Sequence, residues 1–400
     1  MGKSDANRTG IAWVEEAVWG LMPAAAATPL TELRFTGETF SYNVSHIESA
    51  EIRDDRQTTD LIQTGADPGG GFNFELSYGA LDTVGMAGAL WSDWSTAIAS
   101  TRNDLIFDIT GSIYAEWSSF ASFVTGQWIE ISGFVAAASL GNNDYYFITG
   151  RRATGIDVTP SPTVAIPTTV NGALWIKGCY IRNGVTEHSY TFERDHSDIA
   201  APDTPYFDFK GMVCNTFAVT AAANAVLSGS VEYIGKTAST ATGSGNAGTN
   251  IESPTNDILN AVSNVGRIME GATFGTIDSD LLIQEISFSI NNNVRGLPAI
   301  GSLGNADIGV GGFEVTGSMN AYFNGLDLYD KFIASNESGF GFKVEDNDGN
   351  AYIFTFPRIK FETSPINASG KNTDVMQNLT WRAIRHATYD CMMQIDRFPA

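Results

Sequence analysis

SFSINNNVRGLPAIGSLGNADIGVGGFEVTGSMNAYFNGLDLYDKF, which begins at Ser287, reads as a strand, a long polar excursion, a Gly-rich turn, a second strand and a short amphipathic segment. ETFSYNVSHIESAEIRDDRQTTDLIQTGADPGGGFNFELSYGALDTV, which begins at Glu38, reads the same way in the same order. Two further blocks repeat downstream of each copy. YFDFKGMVCNTFAVT from Tyr206 resembles YIFTFPRIKFETSPI from Tyr352, and VLSGSVEYIG from Val226 resembles VMQNLTWRAI from Val375. A chain that carries one β-rich module twice predicts an assembly built from that module.

Composition sets the limits around this pattern. The 400 residues are 43% hydrophobic and only 17% charged, with 41 Gly, 24 Phe and 13 Tyr, a profile of packed β structure rather than disorder. No apolar run reaches the length of a membrane-spanning helix, and the patch at 21–27 lacks the basic flank of a signal peptide, so no membrane anchor is expected. Cys179, Cys214 and Cys391 are odd in number and far apart, which fits neither a disulfide framework nor a metal site and points to synthesis in a reducing cytoplasm. The formal net charge of −22 and the absence of a Lys/Arg cluster argue against gripping nucleic acid by its phosphates.

Along the chain, residues 1–29 read as an arm with aromatic anchors at Trp13 and Trp19, either a tail or a segment docked on a neighbouring subunit. A first module is expected over 30–100 and 171–240, interrupted by an inserted β domain at 101–170. Within the insert, FDITGSIYAEW, WIEISGF, YYFITGR and GIDVTP read as short strands. LWIKGCYIRNGVTEHSYTFER predicts a hairpin turning at Asn183–Gly184. The Ser/Thr/Gly-rich residues 241–256 read as a linker, and 257–400 as the second module. A short helix is expected at 256–268, and another near 320–334 with Tyr322, Leu326, Tyr329 and Ile333 on one face. A weaker helical pattern covers 78–90, where Gly79, Gly85 and Gly88 intervene. Phe340, Phe342 and Val344 alternate into a turn at Asp348–Gly349 and return through Tyr352, Phe354 and Phe356. Pro357 lacks the N–H a ladder needs, so an edge or bulge is expected there. Gly211 falls at the matching place in the first copy, with one residue of register left open.

Catalytic patterns fail on inspection. His46, His188, His196 and His386 are scattered, no GxSxG elbow occurs, and GVGGF lacks the spacing and the Lys of a phosphate loop. Residues 346–350 hint at a calcium loop, but Ala351 and Pro357 stand where the turn Gly and the bidentate Glu belong. The adjacent carboxylates Asp54 and Asp55 offer no glycosidase geometry. No cofactor, metal or enzymatic activity is expected.

LRFTGETFSYN, SAEIRDDRQTTDLIQTG, FNFELSYGALD, YTFERDHSD, YFDFKGMVCNT, NNNVRGLPAIGSLG, GGFEVTGSMNAYF, VEDNDGNAYIFTFPRIKF and MQIDR, in this order, resemble the tail tube (major tail) proteins of long-tailed, non-contractile bacteriophages. FVTGQWIEISGF resembles the inserted β-domain of that family. The resemblance implies a mainly β fold: two tandem tail-tube sandwich or barrel modules, each with a short helix, plus a small barrel-like insert. It implies a structural virion protein that stacks as rings into a hollow tube for DNA passage, made in the host cytoplasm and resident in the tail. A ring of three chains with pseudo-sixfold symmetry follows from two modules per chain, with tape measure, tail terminator and tail tip proteins as partners and DNA passing without specific binding. The charged excursions then suggest inter-ring contacts at Arg53, Asp54, Asp55, Arg56 and Arg295, with Trp13 and Trp19 in the arm. A tail-tip or adaptor ring of the same fold, or an acidic β-rich host-surface adhesin, are the alternative readings.

Overall fold

The computed structural model describes residues 3–24, 28–115, 119–135, 139–166, 174–200, 204–246, 248–271, 274–276, 281–368 and 370–400. The protein is mainly β. Fourteen strands carry the body: β1 (Thr9–Glu15), β2 (Ser41–Glu48), β3 (Leu61–Glu75), β4 (Ser189–His196), β5 (Tyr206–Ala222), β6 (Ser228–Ile234), β7 (Thr237–Ala241), β8 (Val265–Glu270), β9 (Ile283–Asn291), β10 (Glu314–Tyr322), β11 (Ser338–Glu345), β12 (Ala351–Thr363), β13 (Val375–Ala383) and β14 (Gln394–Phe398).

Two long strands each serve two sheets. The first part of β5 pairs with β4 and β7, and its second part with β6. β12 does the same, pairing first with β11 and β14 and then with β13. β1 extends the first set beyond β4, and β8 extends the second beyond β11. Both long strands change register twice, β5 opposite Tyr190/Phe192 and between Cys214 and Thr216, β12 opposite Ser338/Phe340 and between Phe361 and Thr363. A bulge bends a strand and sharpens its twist, which lets one strand leave one layer for the next. Gly211 (φ 69°) supplies the left-handed residue in β5. Pro357 lies within the matching shift of β12, so the ladder loses nothing to its missing N–H.

β5 also pairs along its other edge with β9, from Thr216 opposite Asn291 to Ala222 opposite Glu285. This joint merges the halves into one antiparallel sheet of eight strands in the order β2-β3-β6-β5-β9-β10-β13-β12. Its inner face packs rings from both layers: Phe288 lies 5.4 Å from Phe354, Phe342 stacks on Phe354 at 5.0 Å, and Phe356 meets Trp381 at 4.7 Å. Each fully buried ring contributes on the order of 1.5–3 kcal/mol.

Several expected elements differ. Residues 9–15 are a strand of the body, because the apolar Ile11, Ala12 and Val14 pair and bury alongside β4. The helix expected near 320–334 is confined to Asp327–Ile333. Tyr322 is the last residue of β10, paired with Met376 of β13 and donating its N–H to Leu282 O at 2.9 Å, while Leu326 and Ile333 are exposed and Leu328 is the buried contact. The helix expected at 256–268 is a turn closed by Asn260 and Asn264, followed by β8, whose pairing with β11 outweighs the local pattern. Asn183–Gly184 lies in an irregular connection and closes no hairpin: residues 180–182 pair with β14, whereas β4 pairs with β1 and β5. The 241–256 stretch is tied down, with Asn246 buried and donating to Thr28 O at 2.8 Å, and Ile251 N–H donating to Leu30 O. The weak pattern at 78–90 becomes a π-helical turn, Asp82–Ala87, running into Gly88–Leu90. The hydroxyls of Tyr190 and Tyr233 donate to Thr83 O and Val84 O there, at 2.8 and 2.6 Å.

A separate seven-stranded sheet spans residues 98–178, and its strands include the four sequence blocks read as an insert. It has its own core around Phe107, Ile131 and Ile148, and it docks on β12 and β14. Trp128 is the pin of this seam. Its backbone N–H donates to Asp396 Oδ1 at 3.0 Å and its indole N–H to Thr355 Oγ1 at 3.0 Å. Burial pushes the Asp396 carboxyl up to about 8, against the pull of the Gln394 amide, the Trp128 N–H and nearby Arg182. A carboxyl raised above its unfolded value favours the folded chain below that unfolded value, and the advantage is lost as pH rises through the folded one. Melting temperature is therefore expected to fall as pH rises from about 4 to about 8, and Asp396→Asn should flatten this profile. An unchanged slope in Asp396→Asn, read by scanning calorimetry, would assign the pH dependence elsewhere.

Candidate assembly surfaces

Side chains along the eight-stranded sheet alternate between two faces. On one face Phe72, Phe217, Val231, Phe288, Met319 and Trp381 are each at most 2% exposed. The other face is solvated and bound across strands by hydroxyls, Ser287 to Ser318 at 2.8 Å and Thr363 to Thr380 at 2.7 Å. It carries Glu75, Glu232, Glu285, Glu314 and Glu362 against Lys360 and Arg382. Arg382 is held between Glu362 at 2.8 Å and Glu314 at 3.7 Å. Exposed pairs of this kind add little stability; their consequence is that one of the two cations on the face is already occupied. Burial raises the Glu232 carboxyl above its ordinary value.

Both ends of this sheet are open. Among the described residues β2 pairs only with β3, and the outer side of β12 beyond Phe361 takes no strand. Open edges present unpaired N–H and C=O groups that template further pairing.

β2 and β3 run on past the sheet as a projecting hairpin. Its base is braced by Ala66 N–H, which donates to Leu303 O at 2.7 Å, so the second polar excursion supports the first. Beyond that brace lie about five residue pairs, roughly 17 Å of ladder at the usual rise per residue. Ile47 stands opposite Ile62, and both are more than half exposed, at 60% and 51%. Ile52 at the tip is fully exposed. β-branched residues facing each other on a bare ladder form a patch suited to another protein surface. Sequence reading missed these isoleucines because it took 47–71 for a loop, and the run Leu61-Ile62-Gln63-Thr64-Gly65 has no apolar/polar alternation to mark a strand.

The residues singled out from sequence fall in three places. Arg53, Asp54, Asp55 and Arg56 share the hairpin tip. Arg53 and Asp55 are engaged with each other through two bonds at 2.9 and 2.7 Å. Arg56 has positive φ (61°), and neither its side chain nor that of Asp54 finds a partner among the described residues. Arg295 is not brought to this tip: it sits in a short ladder, Arg295–Leu297 with Asp307–Gly309, and reaches Val310 O at 3.5 Å. Trp13 and Trp19 are engaged within the chain. Trp13 packs edge-on against Tyr190 at 5.7 Å, and Trp19 donates to Gly211 O at 2.9 Å beneath Lys236, which lies 4.3 Å from the ring centroid. Neighbouring Glu16 explains the hold. Its buried carboxylate accepts from Gly20 N–H, Ser189 Oγ, Thr191 Oγ1 and Gly211 N–H at 2.6–3.0 Å.

Titratable groups elsewhere are structural. His188 rests on Glu15 at 2.6 Å, which raises its pKa, and the Cys214 thiol is pushed far up by burial. Asp346 closes the 346–350 turn by accepting from Asp348 and Asn350 N–H at 3.0 and 2.8 Å.

The model of a family described as "Phage tail tube protein" matches residues 6–383 of this chain. No curated protein matches it. The hairpin geometry predicts that Ile47→Asp combined with Ile62→Asp, both on exposed ladder positions, leaves melting within the small range typical of surface changes. The same variant should lose self-association in sedimentation velocity; association equal to wild type would remove the hairpin from the contact. Glu16→Ala is expected to cost about 3 kcal/mol or more in chemical denaturation, because several buried donors lose their acceptor at once.

Proposed function

The chain belongs to the phage tail tube protein family, structural and non-enzymatic constituents of the virion tail that form the tail tube; from that premise we propose that three copies close into a pseudo-sixfold ring and that rings stack into a hollow conduit for DNA. The observation that carries this reading is the joint between β5 and β9, where one half of the chain adds its sheet edge to that of the other. The two halves repeat one strand order with bulges at matching places, which supports a tandem module, residues 30–100 with 171–240 and residues 257–400. If one module receives the next inside the chain, the outermost edges are left to do the same between chains. Eight strands per chain make twenty-four in such a ring, which at about 4.8 Å per strand encloses roughly 37 Å between backbones, more when strands tilt. Two chains would leave about 24 Å before side chains are subtracted, too narrow for a duplex.

The solvated sheet face then lines the bore, since the core and the second layer lie on its other side. The insert, docked on that second layer, falls outside. Hydroxyls and carboxylates, with Arg382 clamped and Lys360 the one other cation, give passing phosphates little to hold. Screening confines any repulsion to within about 8 Å of the wall at physiological salt. The projecting hairpins, with Arg53, Asp54, Asp55 and Arg56 at their tips, and the 291–311 excursion with Arg295 reach neighbouring rings. Trp13 and Trp19 contribute indirectly, by fixing the N-terminal segment against the body of their own chain. Tape measure, terminator and tip proteins are the expected partners at the tube ends, in a long-tailed, non-contractile phage.

Negative-stain microscopy of the purified protein tests the assembly. Long hollow tubes are expected; single rings that never stack would point to an adaptor, and discrete particles would contradict the ring. Glu232→Lys with Glu285→Lys should still form tubes but retard duplex DNA in a gel shift that salt abolishes, while wild-type tubes do not. Equal behaviour of the two would place this face away from the bore.

A further inference from the structure

Resting on the ring reading above, we propose that residues 362–368 of one chain pair antiparallel with residues 38–43 of the next, with Ser364 opposite Tyr42, Ile366 opposite Phe40 and Ala368 opposite Glu38. The occupant of each open edge is a second copy of this chain.

The register comes from the internal joint. There Phe217 lies opposite Ile290, Val219 opposite Phe288 and Ala221 opposite Ile286. Asn292 N–H donates to Asn215 O and Ala223 N–H to Gln284 O, both at 2.8 Å, so the pairs of this odd-numbered β5 series are the hydrogen-bonded ones. The bulges fix the equivalence of β5 and β12. Thr216 follows the shift against β6 as Thr363 follows the shift against β13, which places Phe217 on Ser364, Val219 on Ile366 and Ala221 on Ala368. The neighbouring ladders fix the other strand. Glu38 stands opposite Phe72 and Phe72 opposite Val231, just as Ile286 stands opposite Met319 and Met319 opposite Leu379. Glu38, Phe40 and Tyr42 therefore occupy the places of Ile286, Phe288 and Ile290.

Backbone direction provides an independent check. Asn378 N–H donates to Pro365 O at 3.2 Å, so Pro365 points inward to β13. Thr39 N–H donates to Gly71 O at 2.9 Å, so Thr39 points inward to β3. Alternation then turns Ser364, Ile366 and Ala368 on one edge, and Glu38, Phe40 and Tyr42 on the other, toward the open side. These are the residues the transferred register requires. A proline facing outward would have removed a donor from the contact; Pro365 faces the other way.

The free edge is also filled in a telling manner. Phe40 N–H donates to Glu38 Oε2 at 2.8 Å, and Arg194 Nη1 donates both to Phe40 O at 3.3 Å and to Glu38 Oε1 at 2.8 Å. In the proposed pairing the C=O of Ile366 replaces that carboxylate and its N–H replaces that guanidinium. The ion pair is thus an internal stand-in for the next chain, and it blunts the edge until a partner displaces it.

Asn43→Cys with Thr363→Cys, both exposed and directly opposite in a non-hydrogen-bonded pair, tests the register in assembled tubes under mild oxidation. The native cysteines Cys179, Cys214 and Cys391 are all buried. A covalently closed trimer is expected on a non-reducing gel, and Val44→Cys with Thr363→Cys, one residue out of step, should give none. Normal tubes that cross-link only in the control, or in neither variant, overturn the register and leave the tube reading intact; wild-type protein that never forms rings defeats both. If the cysteine variant does not assemble, hydrogen exchange on wild type decides the matter. Assembly should slow exchange at Phe40 and Ile366 by about tenfold or more, and unchanged exchange at both overturns the pairing.

Discussion

An antiparallel sheet with two open ends has a row of unsatisfied backbone donors and acceptors at each, and such rows either pair, are covered, or invite uncontrolled association. This chain meets the constraint in two ways. Within the chain it is solved by β5 taking β9, which converts two smaller sheets into one. At the ends it is deferred: the Glu38–Arg194 ion pair caps Phe40 at one edge, and the 362–368 edge is left bare. Most other features follow from keeping this sheet true. The bulges let β5 and β12 belong to two layers, the Glu16 cluster locks the bulge at Gly211, and the aromatic stack holds the layers together.

The same sheet separates two tasks by face. Its core side is aromatic and closely packed. Its solvated side is hydroxyl-rich with an excess of carboxylate, and in the proposed ring this is the surface along which a polyanion would travel. The insert docks through Trp128 on the layer remote from that surface, which in the proposed ring would leave it free to vary without narrowing the passage.

Much of the fold was legible because strand periodicity survives in the sequence. The alternating Phe340–Phe342 and Phe354–Phe356 blocks, the short strands of the insert and the repeat of SFSIN in TFSYN all became paired strands. What failed were elements decided by tertiary contact. Tyr322 and Leu326 fall at helical spacing, yet the ladder to β13 claims the first and solvent the second. Val265 and Ile268 look helical until β11 lies beside them. The arm and the linker read as loose because their partners, Ser189, Glu193 and Thr28, lie far along the chain. The charged tip at 53–56 was visible as charge, but the bare isoleucines beneath it were hidden by the assumption of a loop. The edge capped by Arg194 left no local trace at all.

In the proposed assembly a chain carrying two copies of one module closes edge to edge around an empty axis. Helical reconstruction of assembled tubes by electron cryomicroscopy measures this directly. The account predicts three chains per ring, a wall of twenty-four continuous antiparallel strands with the solvated face inward, and an open bore. Six chains per ring, a wall interrupted between subunits, or the aromatic face turned toward the axis would contradict it.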